Sequence, residues 1–300
     1  MQVFRTEFRA MGCSHEIIIA SSDEKTAANA MQAATREVQR IEQKYSRYRV
    51  DSVIGRINGS AGDGTFIDCD QETNELLEIA NTLHKASDGL FDATSGPLRR
   101  CWDFTKPELA SQDKLEAVLP LINWNKVVRN SYGVRLAEKG MEIDFGGFGK
   151  EFACDRAAKA LADHGIAHGY VNLAGDIRAV GPQPDGQPWQ IGVQDPRNAG
   201  SIIARIPLAF GALATSGDYE KYIDVDGRRY CHVLNPRTGY PVNFWSSVSV
   251  SAPTALQAGA CSTIAMLKEG EALAFLTDAK QPYLLVGLDG KKFTNPTTIQ

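Results

Sequence analysis

Three hundred residues, 43% of them hydrophobic, supply enough apolar material for one large domain or two ordinary ones. The net charge is -4 and lysine and arginine are scattered evenly, so no basic stripe suits nucleic acid or an anionic membrane. No stretch approaches the roughly 18 apolar residues of a membrane span. The six cysteines, Cys13, Cys69, Cys101, Cys154, Cys231 and Cys261, are far apart with no C-x-x-C pair, a pattern of free thiols in a reducing compartment. The first residues lack a basic segment followed by an apolar run, so the expected location is cytoplasmic.

In chain order, residues 2–20 alternate polar and apolar as a strand, with Met11-Gly12 a bend or bulge. Residues 25–44 place Ala28, Met31, Ala34, Val38 and Ile41 at helical spacing and predict an amphipathic helix. YSRYRVDSVIGRINGSAGDG then reads as a long loop, of the kind that often carries function. Residues 71–86 predict a second helix. The segment SDGLFDATSGPLRRCWDF is rich in turn residues yet holds Leu90, Phe91 and Trp102, a loop folded against something, whether plain core or a ligand. A short helix at 112–119 precedes strand pairs with turns at Ser131-Tyr132-Gly133 and Lys139-Gly140. A helix at 151–163 follows. GYVNLAGDIRAVG, WQIGVQ and SIIARIPLAF are strands, and Asp226-Gly227 is the strongest hairpin signal in the chain. Residues 254–268 predict a last helix, before a closing hairpin at Asp289-Gly290. Hairpins outnumber strand-helix-strand units, so the fold class is α+β with mostly antiparallel sheets flanked by helices. No linker or repeat divides residues 1–300, which predicts a single domain with two lobes.

Three stretches could carry chemistry. In IDFGGFGKEFACDRAA an apolar strand runs into Gly146, Gly147 and Gly149, then Lys150 and a helix. Glycines permit close backbone approach, and a lysine with a helix N-terminus suits phosphate. The spacing matches neither a P-loop nor a dinucleotide fingerprint, so a tight turn with an exposed lysine is the plain alternative. His232 lies at a strand end beside the turn Asn235-Pro236-Arg237-Thr238-Gly239, where a base would have access to its proton; a hydrogen-bonded strand histidine is the alternative. Cys231 beside it points to the other face of the strand. The remaining histidines, His15, His84, His164 and His168, read as structural or exposed. The run Thr215-Ser216-Gly217-Asp218-Tyr219 could line a polar pocket or merely turn the chain. Gly259 and Thr263 share a face of the last helix, where a glycine costs about 1 kcal/mol relative to alanine and so needs a reason.

Taken together, Met11-Gly12, YSRYRVDSVIGRIN, SDGLFDATSGPL, IDFGGFGKEFACDRA, VNLAGDIRAVG, ATSGDY, YCHVLNPRTGYP and the closing A-x-A-x-S-T helix resemble the ApbE family of FAD:protein FMN transferases, in order and over nearly the whole chain. The resemblance implies an ApbE-type fold and an enzyme that binds FAD as substrate. With Mg2+, it would move FMN onto a threonine or serine hydroxyl of an acceptor flavoprotein and release AMP. It implies Met11 and Tyr48 at the flavin nucleotide, and Leu90, Phe91 and Asp92 at the adenine and ribose. Gly146, Lys150, Phe152 and Val233 would line the pocket, His232 would be the base, and the Gly149 carbonyl and Thr263 hydroxyl would be metal ligands. Lys150 would also neutralise phosphate charge as the bond breaks.

The chain departs from the family pattern at three positions. Gly259 stands where the family usually has an aspartate metal ligand, Glu151 where it has glycine, and Asn235 where it has aspartate. Mg2+ prefers anionic oxygen, so the site should hold it weakly unless Glu151 supplies the charge or FAD phosphates bring the metal. By this reading Gly259→Asp should strengthen metal binding. The departures leave two other functions open: an FAD-binding protein that has lost metal-dependent transfer, and an FAD pyrophosphatase in which water replaces the acceptor.

Overall fold

The computed structural model describes residues 1–295. It opens with a hairpin of β1 (Gln2–Ala10) and β2 (Cys13–Ser21). Met11 and Gly12 both have positive φ, 50° and 76°, which is the backbone of a two-residue hairpin turn. The predicted bend is therefore a full reversal. α1 (Glu24–Tyr45) is capped by Asp23, whose carboxylate accepts from the Thr26 N–H, and buries Ala27, Ala30, Ala34, Val38, Ile41 and Tyr45. The expected long loop after it contains a helix, α2 (Val53–Gly59), with Ile54 and Ile57 buried. Two apolar residues three apart are too few to register as a period.

β3 (Ile67–Asp68), β4 (Val127–Arg129) and β5 (Gly133–Leu136) make a small sheet, with α3 (Gln71–Ala86) and α4 (Gln112–Val118) in the chain between β3 and β4. α5 (Gly149–Asp163) leads into β6 (His168–Leu173) and β7 (Asp176–Gly181). Those two come from a stretch that reads as one strand, and Ala174 and Gly175, at φ 52° and 97°, turn the chain between them. Then come β8 (Trp189–Gln194), β9 (Ile202–Leu208), β10 (Ala212–Gly217), β11 (Tyr222–Val225) and β12 (Arg228–Cys231). Asp226-Gly227 turns β11 into β12 as expected. The chain ends with β13 (Trp245–Ala252), α6 (Ala255–Lys268), α7 (Ala272–Asp278), β14 (Tyr283–Gly287) and β15 (Lys292–Asn295).

One antiparallel sheet in the order β1-β2-β6-β7-β10-β13-β14-β15 runs through the molecule, and the α+β expectation holds. Period-2 alternation decides what each face meets. Ile17, Ile19, Val171, Leu173, Ala212, Ala214, Val248 and Val250 join the main core with α1, α5 and α6. Ile177, Ala179 and Leu213 point the other way, onto Ile191, Val193, Ile206 and Leu208 of the β8–β9 ribbon. The same alternation puts Asp176 and Arg178 of β7, and Ser216 of β10, on the helix side.

α5 and α6 are fastened there by a carboxylate. Asp155 of α5 accepts from the Ala255 N–H at 2.8 Å and the Leu256 N–H at 2.9 Å, two donors of the first turn of α6, and Arg178 Nε lies 3.2 Å from it. Thr254 caps the same end through the Gln257 N–H. The Asp155→Ala variant is expected to lose about 1–3 kcal/mol of stability, because one change removes a cap and the carboxylate facing Arg178. Urea unfolding at pH 7 measures it, and a loss under about 0.5 kcal/mol would mean the clasp does not hold the helices.

Candidate active site

A cavity of about 530 Å3 opens where the first turn of α5, the ends of β7 and β10, the face of α6 and the segment after β12 converge. Its α5 wall is set by residues 143–148, which are tied down at several points. The Asn58 side chain donates to the Ile143 carbonyl and accepts from the Ile143 N–H, at 2.9 and 2.7 Å. The Asp144 N–H donates to the Ala93 carbonyl at 2.8 Å, and its carboxylate meets Arg47 at 3.2 Å. Gly147 presses against the Phe91 ring, where an added Cβ would come within 2.8 Å of Cζ. Only glycine brings this backbone so near the aromatic.

Lys150 follows at the start of α5, whose N-cap residue, Phe148, gives no side-chain cap. Its ammonium pairs with the buried Asp176 and donates to the Leu173 carbonyl at 3.3 Å. Burial opposes the charge, but Asp176 and Glu151 outweigh it and hold the Lys150 pKa above the usual lysine value. Glu151 is 7% exposed, and its Oε2 has no hydrogen-bond partner. Burial, then the neighbouring Asp176, pushes its carboxyl upward against the pull of Lys150. Across the cavity the Ser216 hydroxyl lies 2.8 Å from Ser262 Oγ and 3.2 Å from Thr263 Oγ1, joining β10 to α6.

His232, just beyond β12, lines the same cavity. The Lys221 carbonyl takes its backbone N–H at 2.9 Å and lies 3.2 Å from ring Nδ1. A carbonyl only accepts, so Nδ1 carries the proton and Nε2 keeps its lone pair. Burial first, then the positive charges of Arg99, Lys221 and Lys150, lower the ring's pKa to about 4, against the pull of the Lys221 carbonyl. The ribbon bearing His232 is held by Asp218, which takes Arg197 at 2.7 Å and faces Arg229 of β12 at 3.6 Å. Asn235 shapes the next turn: its Oδ1 accepts from the Arg237 N–H at 2.9 Å. An aspartate oxygen would do the same, so that departure leaves the turn unchanged.

Of the residues expected from sequence, Met11, Leu90, Phe91, Asp92, Gly146, Lys150, His232, Val233 and Thr263 line this one cavity. Tyr48, Gly149 and Phe152 are not among its lining residues. Tyr48 is 80% exposed, its ring 5.2 Å from the Arg47 guanidinium. Gly149 is the first residue of α5, and Phe152 turns toward the main core. Asp92 spends its oxygens within the protein, on Thr94 and on the Trp124 N–H at 3.1 Å. Sequence reasoning missed Arg99, Asp176 and Lys221, which also line the cavity. Only the hidden turn at Ala174-Gly175 could have pointed to Asp176. Thr215, Ser216 and Gly217 line the cavity, whereas Asp218 clamps arginines.

The oxygens on the α5–α6 wall are hard donors of the kind Mg2+ takes, and an orphaned buried carboxylate oxygen stands among them. No three His, Cys, Asp or Glu side chains cluster as a cage among the described residues. That fits Mg2+, which commonly uses one or two carboxylates and completes its shell with water and substrate phosphate. All six cysteines are free thiols. No helix among the described residues is long and apolar enough to cross a membrane.

The model of the ApbE family matches residues 11–285. An FAD:protein FMN transferase of Haemophilus influenzae is 30% identical over 245 residues, 78% of this chain and 71% of that protein. That of Escherichia coli K12 is 27% identical over 267 residues, 86% of this chain and 76% of the other. Among solved structures, the ApbE protein of Thermotoga maritima superposes with a TM-score of 0.90 at 31% identity, covering 99% of this chain and 98% of its own. The apo flavinyl transferase ApbE of Pseudomonas stutzeri gives 0.85 at 26%, covering 98% and 94%.

The His232 geometry is open to direct measurement. In the free protein its imidazole should titrate at about 4, followed by NMR of the ring nitrogens with Nδ1 protonated throughout. A midpoint at or above 6.5, or the opposite tautomer, would overturn the assignment.

Proposed function

The chain belongs to the ApbE family, and on that premise we propose that it is a transferase that moves the FMN part of FAD onto a hydroxyl of an acceptor protein. The observation that carries this reading is that one cavity brings together the Lys150 ammonium at the start of α5 and a histidine with a fixed, unprotonated Nε2. The first suits a pyrophosphate and the second a hydroxyl about to attack it.

In the reaction, the acceptor threonine or serine hydroxyl gives its proton to His232 Nε2 as its oxygen bonds to the FMN phosphorus. The bond from that phosphorus to the AMP phosphate oxygen breaks, and AMP leaves with the electron pair. His232 is neutral across the physiological range, so it is ready to accept that proton without first losing one. Lys150 stays charged and offsets the negative charge that gathers on the leaving phosphate. Asp176 and the Leu173 carbonyl fix where that ammonium sits. The Thr263 hydroxyl on the cavity wall would hold Mg2+, which when bound withdraws charge from the pyrophosphate oxygens, whereas Gly149, the other ligand the resemblance implies, does not line the cavity. Leu90, Phe91 and Met11 give the cavity apolar surface for flat rings.

Incubation with FAD, Mg2+ and a candidate acceptor, followed by mass measurement of the acceptor, tests the reading. The expected result is the added mass of FMN and free AMP; free FMN with AMP and no adduct would make the protein a pyrophosphatase, and intact bound FAD a binding protein. His232→Ala should lower the transfer rate about 100- to 10,000-fold and leave FAD affinity nearly unchanged. The wild-type kcat/KM should hold down to about pH 5, because the free enzyme's base gains its proton only near 4. Transfer retained in His232→Ala, or an acid limb centred at pH 6.5 or above, would remove His232 from the base role.

A further inference from the structure

Gly259 of α6 and Glu151 of α5 occupy each other's space. A Cβ built on Gly259 would stand 2.4 Å from Glu151 Cγ, 2.7 Å from Oε1 and 2.9 Å from Cδ. Atoms do not approach so closely, so a side chain at 259 forces this glutamate out of its present rotamer. The register that causes the contact is the clasp described above. Asp155 meets the start of α6 at Ala255 and Leu256, and Glu151, one turn earlier on the same face of α5, meets α6 one turn later. The carboxylate is also short of partners. Lys150 pairs with Asp176, so the Glu151 carboxyl beside them has no cation of its own, and burial with the neighbouring Asp176 holds it toward its protonated form. Glu151 Oε2 is buried, has no hydrogen-bond partner, and belongs to a residue lining the cavity wall that holds Thr263 and Ser216. A buried carboxyl in this position ionises only with a cation beside it, and a hard divalent cation is a partner that would draw off its proton.

We infer that Glu151 supplies the carboxylate of the divalent-cation site from α5, in the space that α6 vacates by having glycine at 259, so that Glu151 and Gly259 are a reciprocal pair. The inference rests on the flavin-transferase reading of the cavity. It reverses the expectation that Gly259→Asp alone strengthens metal binding, since the incoming side chain would meet Glu151.

The test is a titration of Mn2+, by electron paramagnetic resonance, into wild type, Glu151→Gln, Gly259→Asp and the double variant Glu151→Gly with Gly259→Asp, each with FAD bound. Wild type should bind Mn2+ at least tenfold more tightly than Glu151→Gln, which keeps the size of the side chain. FAD affinity in chelator should differ less than about threefold between the two. Gly259→Asp alone should also lose affinity, and the double variant should recover most of it. Unchanged Mn2+ affinity in Glu151→Gln, stronger binding in Gly259→Asp alone, or a wild type that binds no Mn2+ with FAD would overturn the inference. A folded double variant no better than Gly259→Asp would also overturn it. If the double variant does not fold, the glutamine variant decides. Wild type that binds Mn2+ through Glu151 but flavinylates no acceptor would instead defeat the transferase reading and leave the metal ligand standing.

Discussion

The closeness of α5 and α6 is the constraint on which the site depends. A helix pair whose facing position is glycine can approach until a side chain of the other helix fills the gap, and here that side chain is Glu151. The Asp155 carboxylate sets the register by taking two N–H donors from the first turn of α6. Because it sits one turn from Glu151, the same interaction that fastens the helices decides which oxygens face the cavity. Arg178 of β7 ties the clasp to the sheet, and Asp176, two residues earlier on the same strand face, positions Lys150. Period-2 alternation on one strand thus connects the packing of two helices to the placement of the cationic wall.

The electrostatics of the two walls differ for one physical reason. Both Lys150 and His232 are partly withdrawn from water, which disfavours their charged forms. Lys150 has carboxylates beside it that outweigh the penalty. His232 has cations around it that add to it. The result is a fixed positive charge where a leaving phosphate would need one, and a neutral imidazole where a proton must be taken. Polyphosphate entering between them would soften the cationic surroundings of His232 and raise its proton affinity as the hydroxyl arrives.

Much of this fold was legible in the sequence. α1 and α3 follow from apolar spacing over many turns, and the β11–β12 hairpin follows from Asp226-Gly227, since two residues at positive φ demand that chemistry. α2 was hidden because seven residues with two buried isoleucines give no period. The β6–β7 turn was hidden because alanine at φ 52° is not a residue that advertises a left-handed conformation. That omission concealed Asp176, and with it the partner of Lys150. His232 could be singled out by its neighbours in sequence. Its tautomer could not, because the acceptor that fixes it is a main-chain carbonyl, and every residue has one.

The departures from the family pattern show why single positions mislead. Asn235 replaces aspartate where the oxygen only caps a turn, so the exchange of O– for an amide costs the turn nothing. Gly259 and Glu151 look, one at a time, like a lost ligand and a stray charge. In the structure they compete for one space: a side chain at 259 meets Glu151 as it now lies, and the glycine leaves that space to the glutamate. On the proposed reading the carboxylate offered to the cation comes from α5 at Glu151, in the space that glycine leaves on α6.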